Sequence, residues 1–144
     1  MQSKIIQGAI VNGIINGVIN GGIQWFSFKK LEQVAVTMDS ITNDQVTVLG
    51  SAVPLAVSLA MILTFIAFFS IPKDNRPGIR TKLWVIIKHG FFTFGVVTGM
   101  AVLWQYWFGT IWISPAGATL IVGIIAGLVA LVVNYLTLEP YSKE

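Results

Sequence analysis

Few residues in this chain have side chains that can move protons, bind metals or recognise charge, and most of those few lie inside long apolar runs. The densest polar arrangement is Asn12, Asn16, Asn20 and Gln24, an amide at each fourth position of NGIINGVINGGIQ. At about 100° per residue these amides drift slowly across one sector of a helix. Gly13, Gly17 and Gly21 form a parallel stripe beside them, and Val11, Ile14, Ile15, Val18 and Ile19 take the other side. An unpaired amide in hydrocarbon is expensive, so such a row needs partners. Two readings fit it. The amides can bond another helix or subunit, each membrane hydrogen bond contributing on average about 0.6 kcal/mol. Alternatively they can line a pore or ligand cavity and replace part of a solute's hydration.

The single histidine, His89, follows Lys88 in a later apolar run. Intramembrane ionisable side chains are functional candidates by default, so gating is one role for it. A hydrogen bond to a neighbouring helix is the plainer one. The same run carries Thr93, Thr98 and Gln105 with Gly95 and Gly99, which marks it as the expected partner of the amide helix. Gln105 falls near the level of Gln24 and joins His89 as a gating candidate.

Other chemistries lack their residues. The 6 acidic side chains, Glu32, Asp39, Asp44, Asp74, Glu139 and Glu144, all fall in loops or tails. A proton-coupled exchanger would want one inside the membrane. There is no cysteine, hence no disulfide, thiolate metal site or cysteine nucleophile. No catalytic residue, no metal site and no cofactor is expected, and the chain reads as a non-enzyme.

The elements that must position these residues are apolar helices. Of 144 residues 55% are hydrophobic and only 10% charged, against about 25% charged in soluble domains. Lipid must therefore solvate part of the surface. Four runs are long enough to cross a bilayer, which takes about 20 helical residues: 5–28, 46–71, 83–108 and 116–137. The first contains three Asn and no convincing cleavage site, so it reads as a retained span rather than a signal peptide. Asn43 or Asp44 is placed to cap the second helix, Thr81 the third, and Ser114-Pro115 the fourth. Pro54 predicts a kink near Gly50-Ser51.

Basic residues set the orientation. The loop 72–82 holds Lys73, Arg76, Arg80 and Lys82, and Lys4 and Lys143 lie on the same side. Lys29 and Lys30 on the other side are offset by Glu32, Asp39 and Asp44. The positive-inside rule places both termini and this loop in the cytoplasm, as an inner-membrane, multi-pass protein. Trp25, Trp104, Trp107 and Trp112 then fall near the outer interface. In the outer segment 29–44, Phe28, Leu31, Ala35, Met38 and Ile41 recur at helical spacing, which predicts a short amphipathic helix there. The fold expected is an all-α integral membrane domain of four transmembrane helices over residues 1–144. The net charge of +3 sits in short loops without aromatic interleaving, so nucleic acid is not an expected partner.

The fourth run contains an internal echo. Gly123-Ile-Ile-Ala-Gly127-Leu-Val-Ala130 matches Gly13-Ile-Ile-Asn-Gly17-Val-Ile-Asn20, with Ala126 and Ala130 in place of Asn16 and Asn20. Glycines at this spacing, including Gly123 and Gly127, allow helices to approach closely. The amides are what sets the first run apart. In size and span count the chain resembles the small multidrug resistance transporters, but its first run has no glutamate, so no residue role carries over. The function expected is an oligomeric channel or facilitative transporter for ions or small polar solutes, lined by Asn12, Asn16, Asn20 and Gln24. The alternatives are an accessory protein that docks onto itself or a larger membrane complex through the same row, and a lipid-binding membrane protein.

Overall fold

The computed structural model describes residues 2–39 and 46–141. It is mostly helical: α1 (Gln2–Phe28), α2 (Val48–Ala67), α3 (Ile79–Phe108) and α4 (Pro115–Leu138), with two three-residue strands, β1 (Val34–Val36) and β2 (Ile111–Ile113). Three of the helices are long and apolar enough to cross a membrane: α2 with its 3-10 extension to Ser70, α3, and α4 with its extension to Tyr141. α1 is not among them, because its amides and glycines dilute the aliphatic residues.

Local chemistry explains most helix ends. Thr47 caps α2 by accepting from the Gly50 N–H at 3.1 Å, and Ser114 caps α4 by accepting from Gly117 at 3.2 Å, with Pro115 in the first turn. The candidates Asn43 and Asp44 lie outside the described residues. Thr81 does not cap α3: that helix begins earlier, after Gly78, which offers no side chain. α2 continues as helix through Pro54. At its far end Arg76 reaches back, donating Nε–H to the Ile71 carbonyl (2.7 Å) and Nη2–H to that of Phe69 (2.6 Å). These are carbonyls that a terminating helix leaves without partners. α3 stops at Gly109, whose φ of 63° and ψ of −155° suit glycine alone.

Ile41 lies outside the described residues, and over residues 29–39 the connection from α1 to α2 differs from the amphipathic helix its spacing suggests. β1 lies there instead and pairs antiparallel with β2, Ala35 opposite Trp112. Val34, Val36, Ile111 and Ile113 are β-branched, which suits a pleated pair. Val34, Ala35 and Val36 are all buried, because the ribbon lies over the helix ends and joins a core with Phe28, Val48, Ala101 and Val122. Thr47 Oγ1–H donates to the Thr37 carbonyl at 3.2 Å and ties the strand to α2.

The helices stand in the order α1, α4, α2, α3, each packed on the next, with α3 only lightly against α4. Each half of the chain therefore reads helix, strand, helix, and its first helix packs on the second helix of the other half. The two halves thus share an order of elements and a way of packing on each other. The second helices share the pattern of a hydroxyl cap and a glycine three residues on, Thr47…Gly50 and Ser114…Gly117.

Candidate functional site: the asparagine row and the histidine node

The glycine stripe of α1 lies on α4. A Cβ on Gly13 would stand 2.8 Å from the Gly127 carbonyl oxygen, and one on Gly17 would stand 3.0 Å from that of Gly123. The reverse contacts match: a Cβ on Gly123 would meet the Gly17 oxygen, and one on Gly127 the Gly13 oxygen, each at 3.0 Å. Gly21 continues the seam toward Thr119. The two similar octapeptides thus pack antiparallel on one another, and the partner of α1 is α4 rather than α3. The Gln105 and glycine pattern of α3 pointed the other way. The echo itself held the stronger signal, since two glycine stripes of equal spacing are complementary surfaces.

The amides sit along the edge of this seam. Asn16 donates its Nδ2–H groups to the Asn12 backbone carbonyl (2.9 Å) and to Asn12 Oδ1 (2.7 Å). Asn20 donates likewise to the Asn16 carbonyl at 2.8 Å. Part of the row is therefore paired within its own helix, one turn back, an arrangement that would lower the penalty of amides in an apolar surrounding. Among the described residues, Asn12 Nδ2, Asn16 Oδ1, Asn20 Oδ1 and the whole Gln24 amide have no hydrogen-bond partner. None of these atoms is among the buried side-chain atoms that lack a partner. Asn20 is buried, whereas Asn12, Asn16 and Gln24 are half-buried. On the other flank of the glycine stripe, α1 and α4 enclose an apolar groove of about 500 Å³, bordered by Ile14, Val18, Leu120 and Ile124. The amides take no part in that groove. A second apolar cleft, about 350 Å³, separates α3 from α4 between Thr93 and Trp104.

His89 occupies a different kind of place. It is only 4% exposed, and its Nδ1 lies 2.9 Å from Thr64 Oγ1 on α2 and 3.4 Å from Thr137 Oγ1 on α4. One imidazole thereby joins three helices. Neither threonine stands out in the sequence, since each lies in a long aliphatic run and only the packing brings them to the ring. Gly90 follows, and a Cβ there would meet Met61 Cγ at 2.9 Å, so α3 approaches α2 closely beside the node. Lys88 remains exposed.

Gln105 has a local task. Its Oε1 accepts from the Met38 N–H and its Nε2 donates to Thr110 Oγ1, both at 3.4 Å, which ties the two strands together beyond the Val36–Ile111 end of the ribbon. It does not share a site with Gln24 or His89 in these hydrogen bonds. Among the described residues, no three of His, Asp and Glu come together as metal ligands would. No known family, no curated protein and no solved structure matches the chain, so the reading of its site rests on this geometry alone.

Proposed function

We propose that the chain is an inner-membrane protein with four spans and both termini in the cytoplasm. In this reading it assembles as a homo-oligomer that provides a channel or facilitative path for ions or small polar solutes. One observation carries the proposal: Asn12, Asn16, Asn20 and Gln24 keep donors and acceptors that nothing among the described residues satisfies. At membrane depth those groups must meet water or another subunit. α1 has 27 residues, about 40 Å at 1.5 Å per residue, and it lies antiparallel to α4 along its length, as a fourth span would. Its position at the end of the helix row leaves the amide edge available for a path between copies rather than within one. Selectivity would rest on amides and path width, with no membrane carboxylate to attract cations.

The pairing within the row favours a second reading, docking. With both Asn16 N–H groups and one of Asn20's committed to their own helix, the Asn16 and Asn20 oxygens are left as acceptors that a second copy's Asn12 Nδ2 groups would complement across a two-fold axis. The triple variant Asn12→Ala, Asn16→Ala, Asn20→Ala separates the readings in proteoliposomes. Lost solute flux from an intact oligomer supports the path. Dissociation supports docking. Retention of both flux and assembly removes the amide row from either role.

A further inference from the structure

The hydrogen bonds around His89 determine which ring nitrogen carries a proton. Thr64 Oγ1 lies 2.7 Å from the Ala60 carbonyl and Thr137 Oγ1 lies 2.7 Å from the Val133 carbonyl. These are the back-bonds a helix offers a threonine hydroxyl, and each takes that hydroxyl's one hydrogen. Both oxygens then have only lone pairs to present to the ring. The group facing both is His89 Nδ1, at 2.9 and 3.4 Å.

We infer that His89 Nδ1–H is a donor shared by the hydroxyls of Thr64 and Thr137, and that this bifurcated bond is the pin that sets α3 against α2 and α4. In the neutral ring the lone pair is then on Nε2. The opposite tautomer would face a bare Nδ1 to two oxygens, and its one lone pair could accept from only one hydroxyl, which would have to abandon its helix carbonyl. An imidazolium would still donate from Nδ1, so the assignment of that nitrogen is independent of the ring's charge.

Where this pin lies gives it a job. α3 rests on α2 and barely touches α4, and the cleft between α3 and α4 begins at Thr93, one turn beyond His89. The His89–Thr137 contact closes that end, while Val36 and Trp104 border the other. His89 is therefore a positioning residue: it fixes the spacing of α3 and α4 at the base of the cleft. The inference stands whether or not the asparagine row conducts.

The chain has one histidine, so a protein labelled with 15N-histidine and held in nanodiscs gives the spectrum of this ring alone. The expected result is a protonated, pyrrole-type Nδ1 and a pyridine-type Nε2. A protonated Nε2 with bare Nδ1, or a pair of averaged shifts, overturns the assignment on wild-type protein. Side-chain variants test the pin. Asn carries an N–H where Nδ1 lies, whereas Gln carries one nearer Nε2. His89→Asn should keep a melting temperature close to wild type, and His89→Gln and His89→Leu should each lower it clearly. Spin labels at Phe92 and Leu128, facing across the cleft, should report a broadened distance in the Leu variant and a narrow one in the Asn variant. Equal melting temperatures and equal distances in all three variants would show that no pin exists.

Discussion

Along α1 and α4 the backbones themselves meet, carbonyl oxygen over glycine Cα, whereas around α3 the helices meet through side chains. The first contact has no adjustable part. A methyl added at Gly13 is aimed at a carbonyl 2.8 Å away. Where α3 meets α2, Gly90 faces the flexible end of Met61 at a similar 2.9 Å. Both glycines lie where the first helix of one half meets the second helix of the other, yet one abuts main chain and the other a thioether. Counted from the helix caps, Met61 corresponds to Leu128, and Gly13 touches Gly127 and Leu131 on either side of that place. What differs is the way closeness is achieved. Two glycine stripes allow maximal approach without specific hydrogen bonds. On α3 the open glycines Gly95 and Gly99 meet no neighbour, only Gly90 is brought against α2, and a histidine holds the helix.

The largest effect should come from forcing the rigid seam apart. Gly17→Leu places a branched side chain where even a Cβ would be 3.0 Å from the Gly123 oxygen. Overpacked cores lose about 1–3 kcal/mol when side chains can shift, and here the obstacle is backbone, so α1 should leave α4. Spin labels on cysteines at Val18 and Leu128, in a chain without native cysteine, should change from one narrow distance to a broad distribution. An unchanged narrow distance would mean the seam yields more readily than its geometry implies.

A smaller substitution sharpens the comparison. Alanine at either glycine gains up to about 1 kcal/mol in helix propensity. At Gly13 the clash with carbonyl and Leu131 Cβ should outweigh that gain and leave a net loss of about 1–2 kcal/mol. At Gly90, Met61 can change rotamer at about 0.5–1.5 kcal/mol, so Gly90→Ala should stay within about 1 kcal/mol of wild type. Denaturation of the two variants in the same detergent checks this. Equal losses would erase the distinction between the seams.

The halves also differ in how tightly their second helices are started. Thr47 is buried and both accepts from Gly50 and donates to the Thr37 carbonyl, whereas Ser114 is exposed and makes only the capping bond. Loss of a cap typically costs about 1 kcal/mol. Thr47→Ala should exceed Ser114→Ala, because it also leaves a buried carbonyl unpaired. The opposite order, in the same denaturation assay, would mean the ribbon bond contributes nothing.

How much of this was legible beforehand follows from the range of each signal. Helix caps such as Ser114-Pro115 and the long apolar runs are local, and they read directly. The ribbon did not, because Phe28, Leu31, Ala35 and Met38 satisfy a helical period by chance while Val34-Ala35-Val36 needs β2, far along the chain, to become a strand. The α1–α4 seam was visible as a repeated motif, yet its meaning as a pair of facing surfaces required the fold. For the histidine node only His89 was identifiable. Thr64 and Thr137 became its partners through packing, 25 and 48 residues away.

The least of the expected effects isolates the seams from the helices that carry them. Gly22 on α1 and Gly95 on α3 have nothing within 4 Å of where a Cβ would stand. With no clash to oppose it, alanine at either should act through backbone entropy alone and raise stability by up to about 1 kcal/mol. The sign should be the same in both halves, unlike Gly13 and Gly90. If Gly22→Ala instead destabilised the protein while Gly95→Ala did not, the face of α1 that is open in the single chain would have to be covered by something else in the membrane. A concentration-dependent loss would identify that cover as a second copy, because only a self-association contributes stability that rises with protein concentration.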